Sequence, residues 1–165
     1  MIVWLNGTFG VGKTTTAREL VPLLPNARMF DPEQVGYLLR HVLHEPVDDF
    51  QDHPPWRAIV RKTAASILDY VGGTIVAPQT ILVEAYAREI FDGLDVRHFV
   101  LHAGENELVR RIEGDQVEAG AREWRLRHLP RYRDALPWLR AAATMIDTTG
   151  RAPAEVARLV AGHLG

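Results

Sequence analysis

Apolar and polar positions alternate along this chain on two different periods. Met1–Leu5, Ala27–Phe30, Thr74–Ala77, Val96–Leu101 and Thr144–Ile146 are short, nearly continuous apolar runs, the pattern of strands buried on both faces. Between them the apolar positions take helical spacing. Ala17, Leu20, Val21 and Leu24 predict a helix over 14–24, and Val35, Leu38, Leu39, Val42 and Leu43 a second one. Trp56, Ile59, Val60, Ile67, Leu68 and Val71 predict a third, closed by Gly72-Gly73. Shorter helices are expected over 84–91, 105–112 and 124–133, and a closing helix over 153–164. Residues 113–123 have no period and contain Gly114 and Gly120, so a mobile loop is expected there. Strands that alternate with helices predict an α/β fold, a five-stranded parallel sheet with helices on both faces in three layers. No linker or repeat divides residues 1–165, so one domain is expected.

The first apolar run leads directly into Gly7-Thr8-Phe9-Gly10-Val11-Gly12-Lys13-Thr14. This is G-x-x-x-x-G-K-[ST] between a strand and a helix, the phosphate-binding P-loop in its required context. Glycines let successive backbone N–H groups converge on one point, and the helix N-terminus adds unpaired donors and a positive dipole end. Gly7, Phe9, Gly10, Val11, Gly12, Lys13, Thr14 and Thr15 are therefore the candidate nucleotide contacts. Lys13 would bring charge to the outer phosphates of ATP, and the Thr14 hydroxyl would ligate Mg²⁺. In an open parallel sheet, ligands sit beyond the carboxyl ends of the strands. Asp31, the segment Pro78–Thr80 and Asp147–Gly150 lie just past strands and become site candidates.

Asp31 opens a helix as its N-cap and could also accept a proton from an attacking hydroxyl or hold Mg²⁺ through water. The third strand ends Ala77-Pro78, without the carboxylate that often helps hold the metal in P-loop enzymes, which directs attention to Asp31. Arginines crowd 110–133. A phosphoryl group in flight needs such charge delivered as water is excluded. Arg111 and Arg122 flank the unpatterned loop, so residues 113–124 are expected to form a lid, with Arg125 next to it. Arg151 could stack on the adenine. Asp147-Thr148-Thr149-Gly150 matches the D-x-x-G switch of GTPases only superficially, since it comes late in the chain and no N-K-x-D follows.

Composition narrows the partners. The 165 residues are 47% hydrophobic with a formal net charge of -2, which suits a sizeable core and argues against a general nucleic-acid or polybasic membrane binder. Without cysteine, thiolate chemistry and cysteine-ligated zinc are excluded. No apolar run is long enough to span a bilayer, and the first strand starts at the first residues, so a cytoplasmic protein is expected.

Further blocks carry a family resemblance. The opening Met1-Ile2-Val3-Trp4-Leu5-Asn6-Gly7 with Phe9-Gly10, then Asp31-Pro32-Glu33, Gly36, Leu39-Arg40, Asp49-Phe50-Gln51, Pro55-Trp56-Arg57 and Val76-Ala77-Pro78-Gln79-Thr80, are similar in kind and order to tunicamycin resistance proteins. On its residues alone, Asp49–Arg57 reads as a solvated loop with Trp56 as the first core residue of its helix. The resemblance implies instead a ligand pocket to which Arg40, Gln51, Trp56, Arg57 and Thr80 contribute. It further implies an ATP-binding, nucleoside-kinase-like protein whose partner is a small molecule, the nucleoside antibiotic tunicamycin. The drug would be phosphorylated on a hydroxyl, with Lys13, Asp31, Arg111 and Arg122 as the catalytic candidates, or bound without modification. An ATPase switch acting on a protein partner is a weaker third reading, since no hydrolytic carboxylate is evident on the third strand.

Overall fold

The computed structural model describes residues 1–117 and 119–165. Its five strands are β1 (Ile2–Asn6), β2 (Ala27–Met29), β3 (Thr74–Pro78), β4 (Val96–His102) and β5 (Thr144–Asp147). They form one parallel sheet in the order β2-β3-β1-β4-β5, the expected α/β architecture. Central β1 is buried along its whole length, which is why its sequence does not alternate. Its side chains divide the core between the two faces. Val3 and Leu5 pack with α1 (Lys13–Leu20), α5 (Glu105–Gly114), α7 (Leu129–Ala142) and α8 (Pro153–Gly162). Ile2 and Trp4 pack with α2 (Glu33–Arg40), α3 (Pro54–Val71) and α4 (Glu84–Phe91).

Several boundaries differ from the periodicity; the second helix, expected through Leu43, ends at Arg40. The first helix ends at Leu20 and tightens into a 3-10 turn, Val21–Leu23, because Pro22 has no N–H to continue the ladder. The segment expected as one helix over 124–133 is two, α6 (Arg122–Arg127) and α7. Pro130 sits in the first turn of α7, where a missing donor costs nothing. Helix α7 then runs past Pro137, since Leu129, Tyr132, Ala135 and Leu139 keep one buried face across it. The unpatterned stretch is shorter than expected. Helix α5 reaches Gly114, Ala119–Ala121 is a 3-10 turn, and α6 starts at Arg122. Glu118, within the expected lid, lies outside the described residues. Among the described residues no helix is long and apolar enough to cross a membrane.

One buried side chain joins the sheet to the loops above it. Asn6, the last residue of β1, is fully buried. Its Oδ1 accepts the Gly7 amide at 2.7 Å and the Ile81 amide at 2.8 Å. Its Nδ2 donates to the Ile81 carbonyl at 2.8 Å. The start of the glycine loop and the segment after β3 are thus held by one amide group. Asn6→Ala leaves three buried backbone groups unpaired, each costing about 1–3 kcal/mol. We expect urea unfolding to register a loss of about 3 kcal/mol or more, with Asn6→Asp losing less because it keeps both accepted bonds. A loss below about 1 kcal/mol for the alanine variant would contradict the clamp.

Candidate active site

Glycine geometry makes the loop between β1 and α1. Gly7 has φ +133°, and a Cβ there would lie 2.4 Å from the Leu101 carbonyl oxygen of β4. Gly10, at φ +76°, would carry a Cβ 2.8 Å from Ile112 of α5. Only glycine allows the loop to lie this close to its supports. Gly12 adopts a left-handed conformation and α1 begins at Lys13, so the helix N-terminus opens over the loop. Thr80, buried, donates its hydroxyl to the Gly7 carbonyl at 2.8 Å.

A cavity of about 850 Å³ lies over this loop. Gly10 to Thr15 form its floor, and Arg111, Arg125, Arg151 and Glu33 are on its sides. Its size and its backbone donors suit a nucleoside triphosphate. Lys13 folds back so that Nζ donates to the Thr8 carbonyl at 2.9 Å and lies 5.3 Å from the centre of the Phe9 ring. Desolvation lowers its pKa to about 8; the nearby Glu33 carboxylate works against that shift, and Arg125 adds to it. Arg111 is held by Glu107 at 2.7 Å and by the Thr148 carbonyl and hydroxyl at 2.9 and 3.1 Å. It therefore braces α5 against the segment after β5 while lining the cavity. Glu107, between Arg110 and Arg111, has its pKa drawn down to about 2 by their hydrogen bonds.

A second cavity of about 340 Å³ adjoins the first. Phe9, Glu33 and Arg125 line both. Arg40, Phe50, Gln51, Gln79 and Trp124 belong to the second alone. Phe9, a variable position of the loop motif, packs on Trp124 of α6 with ring centres 4.8 Å apart, and the Arg125 guanidinium lies 5.9 Å from the same ring. Arg125 also pairs with Asp115 at 2.7 Å. The loop and the expected lid thus meet through Phe9.

The other expected site residues are dispersed. Asp31 lines neither cavity; its Oδ1 accepts the Glu33 amide at 3.0 Å. It caps the entry to α2, and Glu33 is the carboxylate that faces Lys13. Arg122 lines neither cavity, and its buried Nε has no hydrogen-bond partner among the described residues. Trp56 is fully buried, donates to the Pro32 carbonyl at 3.2 Å and packs beneath Phe50. Arg57 is buried against Glu89 and the Gln51 carbonyl, both at 2.6 Å. These two support the second cavity from behind, whereas Arg40 and Gln51 line it. Reading the sequence missed Glu33 as a site residue, placed Gln79 only within the candidate segment Pro78–Thr80, and ranked Arg125 behind Arg111 and Arg122. The D-P-E spacing was a usable signal for Glu33, because an Asp cap orients the residue two positions on.

The comparisons give the family and the fold. A model of the AAA domain matches residues 3–127, most of the chain. The tunicamycin resistance protein of Deinococcus radiodurans is 33% identical, with TM-score 0.74, over 99% of this chain and 95% of that one. The chain belongs to the tunicamycin resistance protein family, within the AAA-domain group of P-loop proteins. Shikimate kinase from Acinetobacter baumannii (21% identity, TM-score 0.61, 99% and 92% of the two chains) shares the fold. So does a gluconokinase from Sinorhizobium meliloti (17% identity, TM-score 0.63, 98% and 91%). No curated protein sequence matches the chain significantly. This family member is a kinase-like P-loop protein.

The Lys13 ammonium yields a test. Its lowered pKa means that it loses its proton as pH rises through about 8. Phosphates favour the charged form and would draw the proton back. At about pH 8.5, nucleotide binding should therefore take up about three-quarters of a proton, and near pH 7 Lys13 should take up almost none. Calorimetry in two buffers of different ionisation heat reads this directly. No uptake at the higher pH would mean that Lys13 does not meet the phosphates.

Proposed function

We propose that the protein is an ATP-dependent phosphotransferase that moves the γ-phosphoryl group to a hydroxyl of a nucleoside-like small molecule, tunicamycin, in the cytoplasm. The observation that carries this reading is the junction of the two cavities at Glu33, Phe9 and Arg125. A nucleotide on the loop would direct its terminal phosphate toward that junction, and an acceptor in the second cavity would present its hydroxyl there.

Each group has a role in that arrangement. The loop amides, the start of α1 and Lys13 hold the phosphates, and Arg111 and Arg151 line the nucleotide side. Arg125, at the junction, is placed to neutralise charge spreading over the phosphoryl oxygens; Arg122 would join it only if the lid closed further. The Thr14 hydroxyl would be the protein ligand for Mg²⁺. Among the described residues no three acidic or histidine side chains gather to hold an ion, so the protein would contribute the Thr14 hydroxyl. When bound, that ion supplies charge neutralisation on the phosphates. The acceptor oxygen forms the new P–O bond, the bond to the β-phosphate oxygen breaks, ADP leaves, and the hydroxyl proton passes to Glu33. Asp31 acts through Glu33 by fixing the turn. Phosphoryl transfer relies mainly on positioning and charge.

Mass spectrometry of tunicamycin after incubation with protein, ATP and Mg²⁺ tests the proposal. The drug should gain one phosphoryl group. Lys13→Ala should abolish the reaction while the fold survives. Glu33→Gln should lower turnover about 10²-fold or more, the range for a lost general base, with ATP affinity little changed. Asp31→Asn should be close to wild type, since Asn caps as well as Asp. Unmodified drug that is nevertheless held tightly in the presence of ATP would replace transfer with sequestration. A fully active Glu33→Gln variant would remove the base.

A further inference from the structure

One residue joins the phosphate loop to the wall of the second cavity. Thr80 is 4% exposed and lines neither cavity, yet both of its oxygens are bonded. Its hydroxyl donates to the Gly7 carbonyl at 2.8 Å. Its own carbonyl accepts Gln51 Nε2 at 2.8 Å, and Gln51 lines the second cavity. The bonds continue on either side. The Gly7 carbonyl belongs to the peptide unit that carries the Thr8 N–H, and the Thr8 carbonyl holds Lys13 Nζ at 2.9 Å. At the other end, Asp49 accepts the Gln51 amide N–H at 3.0 Å and Gln51 Nε2 at 3.2 Å. These bonds start the 3-10 turn Phe50–Asp52, whose first two residues line the second cavity.

The middle of this chain of bonds has little room to slip. Asn6 holds both backbone groups of Ile81, the residue after Thr80. Arg57 donates to the Gln51 carbonyl at 2.6 Å and is itself braced by Glu89 at 2.6 Å. Buried bonds cannot be exchanged for water, so a change at one member is passed to the next. The two ends are softer. Lys13 has two sets of partners, the Thr8 carbonyl in the empty site and phosphate oxygens when nucleotide is bound. The turn Phe50–Asp52 follows the exposed segment 44–48, and such elements have local stability to gain. We infer that Thr80 is a positioning residue that couples the two cavities: a nucleotide on the phosphate loop orders the turn Phe50–Asp52, so the second cavity takes its shape once the nucleotide is in place. The inference rests on the loop holding a nucleotide, as in the proposed function, and requires neither phosphoryl transfer nor a particular acceptor.

Hydrogen exchange read by mass spectrometry, with and without a non-hydrolysable ATP analogue and Mg²⁺, tests it in the absence of any acceptor. In wild type the nucleotide should slow exchange over 49–53 about fivefold or more, the lower end of coupling between linked sites. Thr80→Val, similar in shape but without the hydroxyl, should still bind the analogue and lose that slowing. Thr80→Ser keeps the donor and should keep the slowing, which a merely structural role for the side chain does not predict. A thermal melt checks that Thr80→Val folds; if it does not, Gln51→Met, which cuts the bond to the Thr80 carbonyl, takes its place. Unchanged exchange over 49–53 in wild type with the analogue bound would overturn the inference. So would slowing that survives in Thr80→Val or Gln51→Met, which would route the coupling through Phe9 and the lid, or slowing lost equally in Thr80→Ser. No binding of the analogue would overturn this inference and the proposed function together. Slowing that depends on Thr80, in a protein that never phosphorylates tunicamycin, would uphold this inference and refute the transfer reaction alone.

Discussion

The site depends on one buried amide. Asn6 lies where β1 ends and the glycine loop begins, and it bonds at once to the loop and to both backbone groups of Ile81. The sheet could otherwise end in two independent loops. With Asn6 in place, the phosphate loop and the segment carrying Gln79 and Thr80 move as one body, reinforced by the Thr80 hydroxyl on Gly7. In a buried setting, such bonds are expensive to break because water cannot replace them. The nucleotide cavity and the second cavity are therefore held in fixed register by chemistry that touches no ligand.

Above this base, aromatic and cationic groups set how the lid meets the loop. The Phe9 ring has Lys13 Nζ 5.3 Å and the Arg125 guanidinium 5.9 Å from its centre, and it packs on Trp124. An aromatic face attracts a nearby cation, so the ring contributes to holding both. Arg125 is paired with Asp115 at the end of α5, so its charge is available near the junction without being buried unpaired. Glu33 offsets part of the desolvation of Lys13 from the other side. The nucleotide cavity carries Lys13, Arg111 and Arg151, Arg125 faces both cavities, and the second adds Arg40 to its polar and aromatic groups.

The parts of this arrangement that were legible in the sequence are those governed by local rules. Continuous apolar runs marked β1 and β3, and the glycine spacing marked the phosphate loop. What was not legible depends on long-range burial. On its residues alone Trp56 read as a core residue, which it is; the resemblance put Trp56 and Arg57 in the pocket, but one is buried on Pro32 and the other on Glu89, behind the second cavity. The helix expected over 124–133 proves to be two, and the second continues past Pro137 because its buried face carries across it. Asp31 read correctly as a cap, but only the turn it makes shows that Glu33 is the carboxylate toward Lys13. Gln79 was legible only as part of the segment Pro78–Thr80 just past β3; that it lines the second cavity shows only once the chain is folded.

The central claim is that two adjoining cavities bring a nucleotide and a small-molecule hydroxyl together at Glu33. A crystal structure of the protein with a non-hydrolysable ATP analogue, Mg²⁺ and tunicamycin measures it most directly. The account predicts the drug in the second cavity, one hydroxyl oxygen about 3–3.5 Å from the γ-phosphorus, and a Glu33 oxygen about 2.6–3.2 Å from that hydroxyl. A drug bound away from the second cavity, or one with every hydroxyl out of reach of the γ-phosphate, would contradict it.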